Sequence, residues 1–338
     1  MTDRVQPHQP RVRQLLRQVS LSKTEIRNRL KQASDAAYWQ ALYPPFSICS
    51  SSPQIPDVQA LHPNTLARCV RDLDRYGYFC SESPLIEGLT ASLLECIQTV
   101  RKAGWPPVFA YVYDQLWMLW HIRPIAQILT SALGPAYRLI PHGWCHYVPP
   151  VRGASGWPPH VDGNLPNRMS IWIPLTDANI ENGCLYVVPK DMNTSAIGER
   201  RELRKASNLQ MRELLQRSRA IPAPAGSLLG WPFRTLHWGS TAHSSESPRV
   251  SLVFEFIAGR ETPIKNETPL YDPATPLPDL ALRLFCIGRA IRQYMRYELK
   301  MRRYADLASE LMDPNLSPAD RKQADSHQAK IGRYCTMG

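Results

Sequence analysis

The sequence predicts a mainly β core flanked on both sides by helices, and three observations predict it. From Tyr137 onward the chain breaks into short apolar runs (137–148, 169–175, 184–188, 227–233 and 249–257), each bounded by Pro, Gly, Asn or Asp. Runs of that length, rich in aromatic and β-branched residues, read as strands. Before Tyr137 and after about 279 the apolar residues instead recur at helical spacing. Finally, 338 residues of which 43% are hydrophobic suffice to bury a real core.

Taken in order, residues 11–43 read as helical, with Ser22-x-x-Glu25 as a capping box. Pro44, Pro45 and the run 49–56 end that element as a linker. A helix is predicted from Pro63 to Arg75, stopped by Gly77, with Tyr78-Phe79-Cys80 extended after it. Further helices are predicted over about 85–103 and 122–132, the second ended by Gly134-Pro135. Inside the strand block, the highly charged segment 197–219 reads as a helical insertion, and a last helix is predicted from about 279 to 311. This divides the chain into a helical N-terminal extension (1–60), a core domain (61–265) and a basic helical C-terminal extension (266–338).

Composition excludes several functions. Aromatic residues at 9% and apolar residues spread along the length exclude a disordered chain. The most apolar stretch, Val108 to Trp120, holds Asp114 and is too short to span a bilayer. The formal charge of +11 lies at the ends: residues 1–31 carry eight basic against two acidic residues, and 282–304 carry seven against one. The middle is neutral, which argues against nucleic-acid binding. Arg289, Arg292, Arg296, Lys300 and Arg303 form one helical stripe, opposite Leu284, Ile287, Ile291 and Met295. Such a helix suits an anionic carrier or membrane surface; the plainer reading is a helix packed on the core with a solvated outer face. Eight scattered cysteines without a Cys-x-x-Cys pair, and a start without a short apolar run, point to a cytoplasmic protein with reduced thiols.

Chemistry concentrates in the strand block. In Trp157-Pro158-Pro159-His160-Val161-Asp162 the histidine and the carboxylate lie two residues apart, so in extended backbone both face one way. Alone the pair is unspecific, since about one is expected by chance among nine histidines. It gains weight from His237, at the end of an apolar segment, and from Arg249-Val250-Ser251, which opens another. Two histidines and one carboxylate occupy one face of an iron octahedron and leave the opposite face open. A buried Arg249 offers a planar fork for the far carboxylate of 2-oxoglutarate, and Ser251 adds a hydroxyl. His243 competes with His237 as the second histidine ligand, but sits in a polar loop signature. His142, Trp144 and His146 share one face of a predicted strand and read as pocket-lining or hydrogen-bonded core residues. Arg152 and Arg168 flank the His-x-Asp segment.

His160-x-Asp162, Asn182-Gly183 before a strand ending in Pro189, His237 and Arg249, in that order, resemble the phytanoyl-CoA dioxygenase family. Asp72-Leu73-Asp74-Arg75-Tyr76-Gly77-Tyr78-Phe79 is similar to that family's early helix and Gly-aromatic strand, so the resemblance covers about 63–258. After Pro189 the family continues Gly-Ser-His, whereas this chain reads Lys190-Asp191-Met192. The resemblance implies a double-stranded β-helix (jelly-roll, cupin-like) core. It also implies an Fe(II)/2-oxoglutarate-dependent dioxygenase that uses O2, hydroxylates a small molecule or biosynthetic intermediate, and releases succinate and CO2. By resemblance His160, Asp162 and His237 hold iron, Arg249 binds 2-oxoglutarate, and Ser170 touches the cosubstrate, with Trp172 on the same strand face. Two other readings stay open: a non-catalytic jelly-roll binding protein, and a cupin-type metalloenzyme that does not use 2-oxoglutarate.

Overall fold

The computed structural model describes residues 20–81, 83–190, 207–243 and 247–313. The parts of the predicted helices that fall on 11–19 and 197–206 lie outside the described residues.

The predicted capping box is present. Ser22 Oγ accepts from the Glu25 N–H at 3.2 Å, and the Glu25 carboxylate accepts from the Ser22 N–H at 2.7 Å, opening α1 (Lys23–Ala33). The predicted single element divides here, because Asp35 turns its side chain onto the Ala37 N–H and starts α2 (Ala36–Leu42). Next come α3 (Pro63–Tyr76), closed by Gly77 at φ 73°, then β1 (Phe79–Cys80), α4 (Glu87–Lys102), α5 (Asp114–Met118) and α6 (Arg123–Leu133). The most apolar stretch forms a 3-10 turn (Pro107–Val112) and α5, and is almost wholly buried. There Phe109 and Tyr113 join Trp39 and Trp105 in one aromatic cluster with ring centroids 4.5–6.4 Å apart.

Seven strands follow: β2 (Arg138–Val148), β3 (Arg168–Pro174), β4 (Leu185–Val187), β5 (Arg219–Ile221), β6 (Leu229–Pro232), β7 (His237–Gly239) and β8 (Arg249–Ile257), with α7 (Asn208–Arg217) between β4 and β5. They form two antiparallel sheets, ordered β1-β6-β3-β8-β2 and β5-β4-β7. His160 bridges to His237 on the open side of β7 and adds a vestigial fourth strand to the small sheet. Beginning at β2, the chain then passes between the large and small sheets in the order large, small, large, small, small, large, small, large. That winding is the double-stranded β-helix. β3 and β8 are buried along their whole lengths; Trp172, Arg249, Val253 and Glu255 line the cavity, while Phe254 and Phe256 on the other face of β8 meet Tyr111 and Trp120. Burial on both faces makes them continuous apolar runs rather than alternating ones.

After β8 the predicted helix over 279–311 is instead α8 (Leu280–Tyr294), a 3-10 turn (Leu299–Tyr304) and α9 (Ala305–Leu311). The break occurs where Tyr297 and Glu298 turn back to the barrel; Glu298 accepts from Trp144 Nε1 at 3.1 Å. The basic residues accordingly do not form one solvated stripe. Arg289 donates to the Thr268 carbonyl, while Lys300 pairs with Glu298 at 2.7 Å. No helix among the described residues is long and apolar enough to cross a membrane.

A buried ion pair fixes α8 to the helical layer. Arg283 lies 2.6 Å from Asp114, and both are almost fully buried. Asp114 also accepts from the Cys49 and Ser50 N–H groups. Burial alone would raise its pKa, but Arg283 and these hydrogen bonds outweigh burial and hold the carboxyl below the ordinary range. Asp114→Ala strands the Arg283 charge and should lower unfolding free energy by about 3–5 kcal/mol, read by chemical denaturation. A change below about 1 kcal/mol would show that the pair does not hold α8 in place.

Candidate metal centre

His160 and His237 lie on neighbouring backbone segments tied by two mutual hydrogen bonds: each N–H donates to the other's carbonyl at 3.0 Å. This places their rings 4.4 Å apart. Asp162, two residues after His160, is held by its N–H on the Phe233 carbonyl at 2.9 Å. Its Oδ1 sits 3.6 Å from His160 Nε2 and 3.7 Å from His237 Nε2, and the three potential ligand atoms lie within 4.8 Å of one another.

The orientation of each ligand is set by its other end. The Pro158 carbonyl lies 2.8 Å from His160 Nδ1, and the Thr235 carbonyl 2.9 Å from His237 Nδ1. A carbonyl only accepts, so both Nδ1 atoms carry the proton and both Nε2 lone pairs face Asp162. Asp162 Oδ2 accepts from Ser170 Oγ at 2.7 Å and Trp231 Nε1 at 2.9 Å, which leaves Oδ1 for the centre. Burial, reinforced by His237, holds His160 well below the usual imidazole range, so it is neutral at pH 7. Its Nε2 is buried without a hydrogen-bond partner. A neutral nitrogen, orphaned beside a carboxylate oxygen and the Nε2 of a second histidine, fits a divalent metal.

The cavity in front of these groups is lined by His146, Trp157, Trp172, Trp231, Arg249 and Glu255, among others. Arg249, at the start of β8, is 2% exposed, and its Nε has no partner among the described residues. Burial pushes its guanidinium down to about 10. Two residues on, Ser251 Oγ is buried and equally without a partner. Two glycines make room for the guanidinium: a Cβ on Gly156 or Gly239 would stand 2.4 or 2.7 Å from Arg249 Nη2.

Several sequence expectations find their places here. His237 faces the centre, whereas His243 is exposed in its loop. The Ser170 hydroxyl, expected at the cosubstrate, is engaged on Asp162, while Trp172 lines the cavity. His142, Trp144 and His146 do share an inward face: His142 meets Glu255, while Trp144 and His146 meet Trp157. Arg168 is spent on a bidentate pair with Glu267 at 2.6 and 2.9 Å, and Arg152 is exposed. Asn182 shapes its turn by exchanging side-chain hydrogen bonds with Asn179 and reaching the Asp177 carbonyl.

Glu255 and Tyr294 escaped the sequence reading. For Glu255 a signal existed: with period 2 from Arg249 and Ser251 it faces inward, a charge in an otherwise apolar strand. Tyr294 comes from α8, and no local pattern links α8 to the barrel.

Residues 98–251 match the phytanoyl-CoA dioxygenase family (PhyH). No curated protein matches the chain. Among solved structures, the chain is similar to the non-heme alpha ketoglutarate dependent epimerase SnoN from nogalamycin biosynthesis: 19% identity, 64% of this chain and 94% of that one, TM-score 0.43. The non-heme monooxygenase ThoJ in its Ni complex gives 15% identity, 69% and 99% coverage, and TM-score 0.48. EctD from S. alaskensis gives 16%, 65% and 92%, and 0.46.

Proposed function

We propose, from the phytanoyl-CoA dioxygenase family domain that residues 98–251 form, that this chain is an Fe(II)/2-oxoglutarate-dependent dioxygenase. It hydroxylates an unactivated C–H bond of a small molecule or biosynthetic intermediate. One observation carries the reading: a His-Asp-His centre shares its cavity with a buried arginine whose Nε has no partner. His160, Asp162 and His237 would hold the iron, and Arg249 with Ser251 would take the far carboxylate of 2-oxoglutarate. Bound iron, with 2-oxoglutarate and O2, supplies the oxidising chemistry, with succinate and CO2 released.

The chain's own residues do the rest. The Pro158 and Thr235 carbonyls fix the imidazole tautomers, and Ser170 and Trp231 keep Asp162 presenting one oxygen. Trp157, Trp172 and Trp231 wall the cavity and exclude water from it. The cysteines, scattered through the sequence without a Cys-x-x-Cys pair, agree with a reducing, cytoplasmic setting.

Anaerobic addition of Fe(II) and 2-oxoglutarate to the folded protein should produce a weak visible charge-transfer band. No band in metal-loaded protein would defeat the reading and favour a silent jelly-roll. A band whose 2-oxoglutarate dependence ignored Arg249 would favour a cupin-type enzyme. Gly239→Ala pushes a methyl group onto the guanidinium and the Gly156 backbone. It should weaken 2-oxoglutarate binding about tenfold, as read by titrating the band, because a bidentate pair tolerates little displacement.

A further inference from the structure

Glu255 stands at the far end of the inward face of β8 from Arg249, and it too lines the cavity. Six residues of strand separate the two, roughly 20 Å of backbone. The carboxylate ligand is level with Glu255, not with Arg249: Glu255 pairs in register with Ser170, whose hydroxyl holds Asp162. Glu255 therefore sits at the end of the cavity away from the arginine that would anchor the cosubstrate.

Its surroundings are built. Glu255 Oε1 accepts from the Tyr294 hydroxyl at 2.7 Å, and Tyr294 is delivered by α8. Burial, and then the carboxylate itself, keep that phenol well above its ordinary pKa, so it stays a donor. Beside Glu255 also lies His142, in the bulge where β2 shifts register against β8 between Ile140 and Trp144. Pro141 and Gly143 break the ladder there. His142 Nδ1 is 3.6 Å from Glu255 Oε2, beyond hydrogen-bond length, and His142 Nε2 is buried with no partner. Among the described residues Oε2 thus accepts no hydrogen bond, and no Lys or Arg pairs with Glu255. Aromatic rings complete the enclosure: Trp157 lies 4.8 Å from Tyr294 and stacks on Tyr297 at 4.9 Å.

A carboxylate with one open oxygen, no Lys or Arg partner among the described residues, and aromatic walls is the complement of an ammonium group. We propose that Glu255, positioned by Tyr294, is the substrate anchor, and that the substrate presents a protonated amine to it. This rests on the oxygenase reading for which side of the centre the substrate occupies.

Three probes of matched size test it: phenethylamine, 2-phenylethanol and 3-phenylpropionate. Each is titrated calorimetrically into the full-length protein, anaerobically, with and without Fe(II) and 2-oxoglutarate. The amine should bind at least about tenfold tighter than the alcohol or the acid, a charge-assisted advantage. Glu255→Gln should level the three to within about threefold while 2-oxoglutarate affinity, measured in the same cell, stays within about twofold. The proposal is overturned if the amine shows no preference, including no saturable binding of any probe, or if its preference survives Glu255→Gln. The wild-type comparison stands even if the variant misfolds. Loss of 2-oxoglutarate binding with a retained amine preference would sink the oxygenase reading and leave the ammonium site.

Discussion

Asp162→Ala is expected to take iron-dependent 2-oxoglutarate turnover below detection, a loss well beyond the roughly 10–100-fold that follows when only a ligand's support is removed. The asymmetry is built into the carboxylate. Oδ1 lies 3.6 and 3.7 Å from the two Nε2 atoms, and no other acidic residue among the described residues joins the cluster. Removing it leaves two neutral nitrogens, which hold a divalent ion far less well than a site carrying one negative charge. The same change strands two buried donors, Ser170 Oγ and Trp231 Nε1. Each stranded donor should destabilise the protein by about 1–3 kcal/mol. Ser170→Ala and Trp231→Phe separate the two effects. They keep the ligand but free its outer oxygen, so each should weaken metal binding by about 10–100-fold without abolishing it. The check is metal affinity by competition with a chelator, run beside turnover. If Ser170→Ala proved as damaging as Asp162→Ala, its hydroxyl would be doing more than holding the carboxylate, and the cosubstrate contact expected from the sequence would return.

Which parts of this site were legible follows from where the information lies. The five apolar runs located β2, β3, β4, β6 and β8 almost to the residue, most plainly β3 and β8, whose burial is written as unbroken hydrophobicity; the three-residue strands β5 and β7 had no such run. His160 and Asp162 were legible because two residues in extended backbone share a direction. Pairing of β7 with the 160 segment was not, since it depends on two isolated backbone bridges, His160 to His237 and Ser155 to Thr241, between stretches 77 to 86 residues apart. Gly156 and Gly239 looked like loop residues, and their meaning emerges only once Arg249 is seen lying against both. The C-terminal segment misled most. Its charges read as one exposed stripe, but the chain breaks after Tyr294, and that residue reaches the cavity. Local periodicity reports which face of a helix is apolar. It does not report that a polar tip on that face meets Glu255 on a strand 39 residues earlier.

Arg249→Met should produce opposite effects on stability and on cosubstrate binding. Burial pushes Arg249 down to about 10, well below its ordinary value. Below pH 10 the guanidinium is charged in both the folded and unfolded states, and the folded state carries the full burden of desolvating it. Between about 10 and the ordinary guanidinium value the unfolded chain holds the proton that the folded one has released, so this group adds stability as pH rises through that window. At pH 7 the burden amounts to about 3 kcal/mol against folding. Methionine fills similar length without the charge, as when a buried ionic group is replaced by apolar residues of similar volume. The unfolding free energy without ligand should therefore rise by about 1–3 kcal/mol in Arg249→Met. Meanwhile 2-oxoglutarate affinity should fall by more than about 100-fold, because the fork that matches its far carboxylate is gone. Denaturant unfolding at pH 7 and titration of the charge-transfer band measure the two. A protein that kept this charge for stability would lose about 3–5 kcal/mol on its removal, the signature of a broken buried pair. A gain in stability with a loss of binding would mean the arginine is carried for its ligand, a burden the fold bears until the carboxylate arrives.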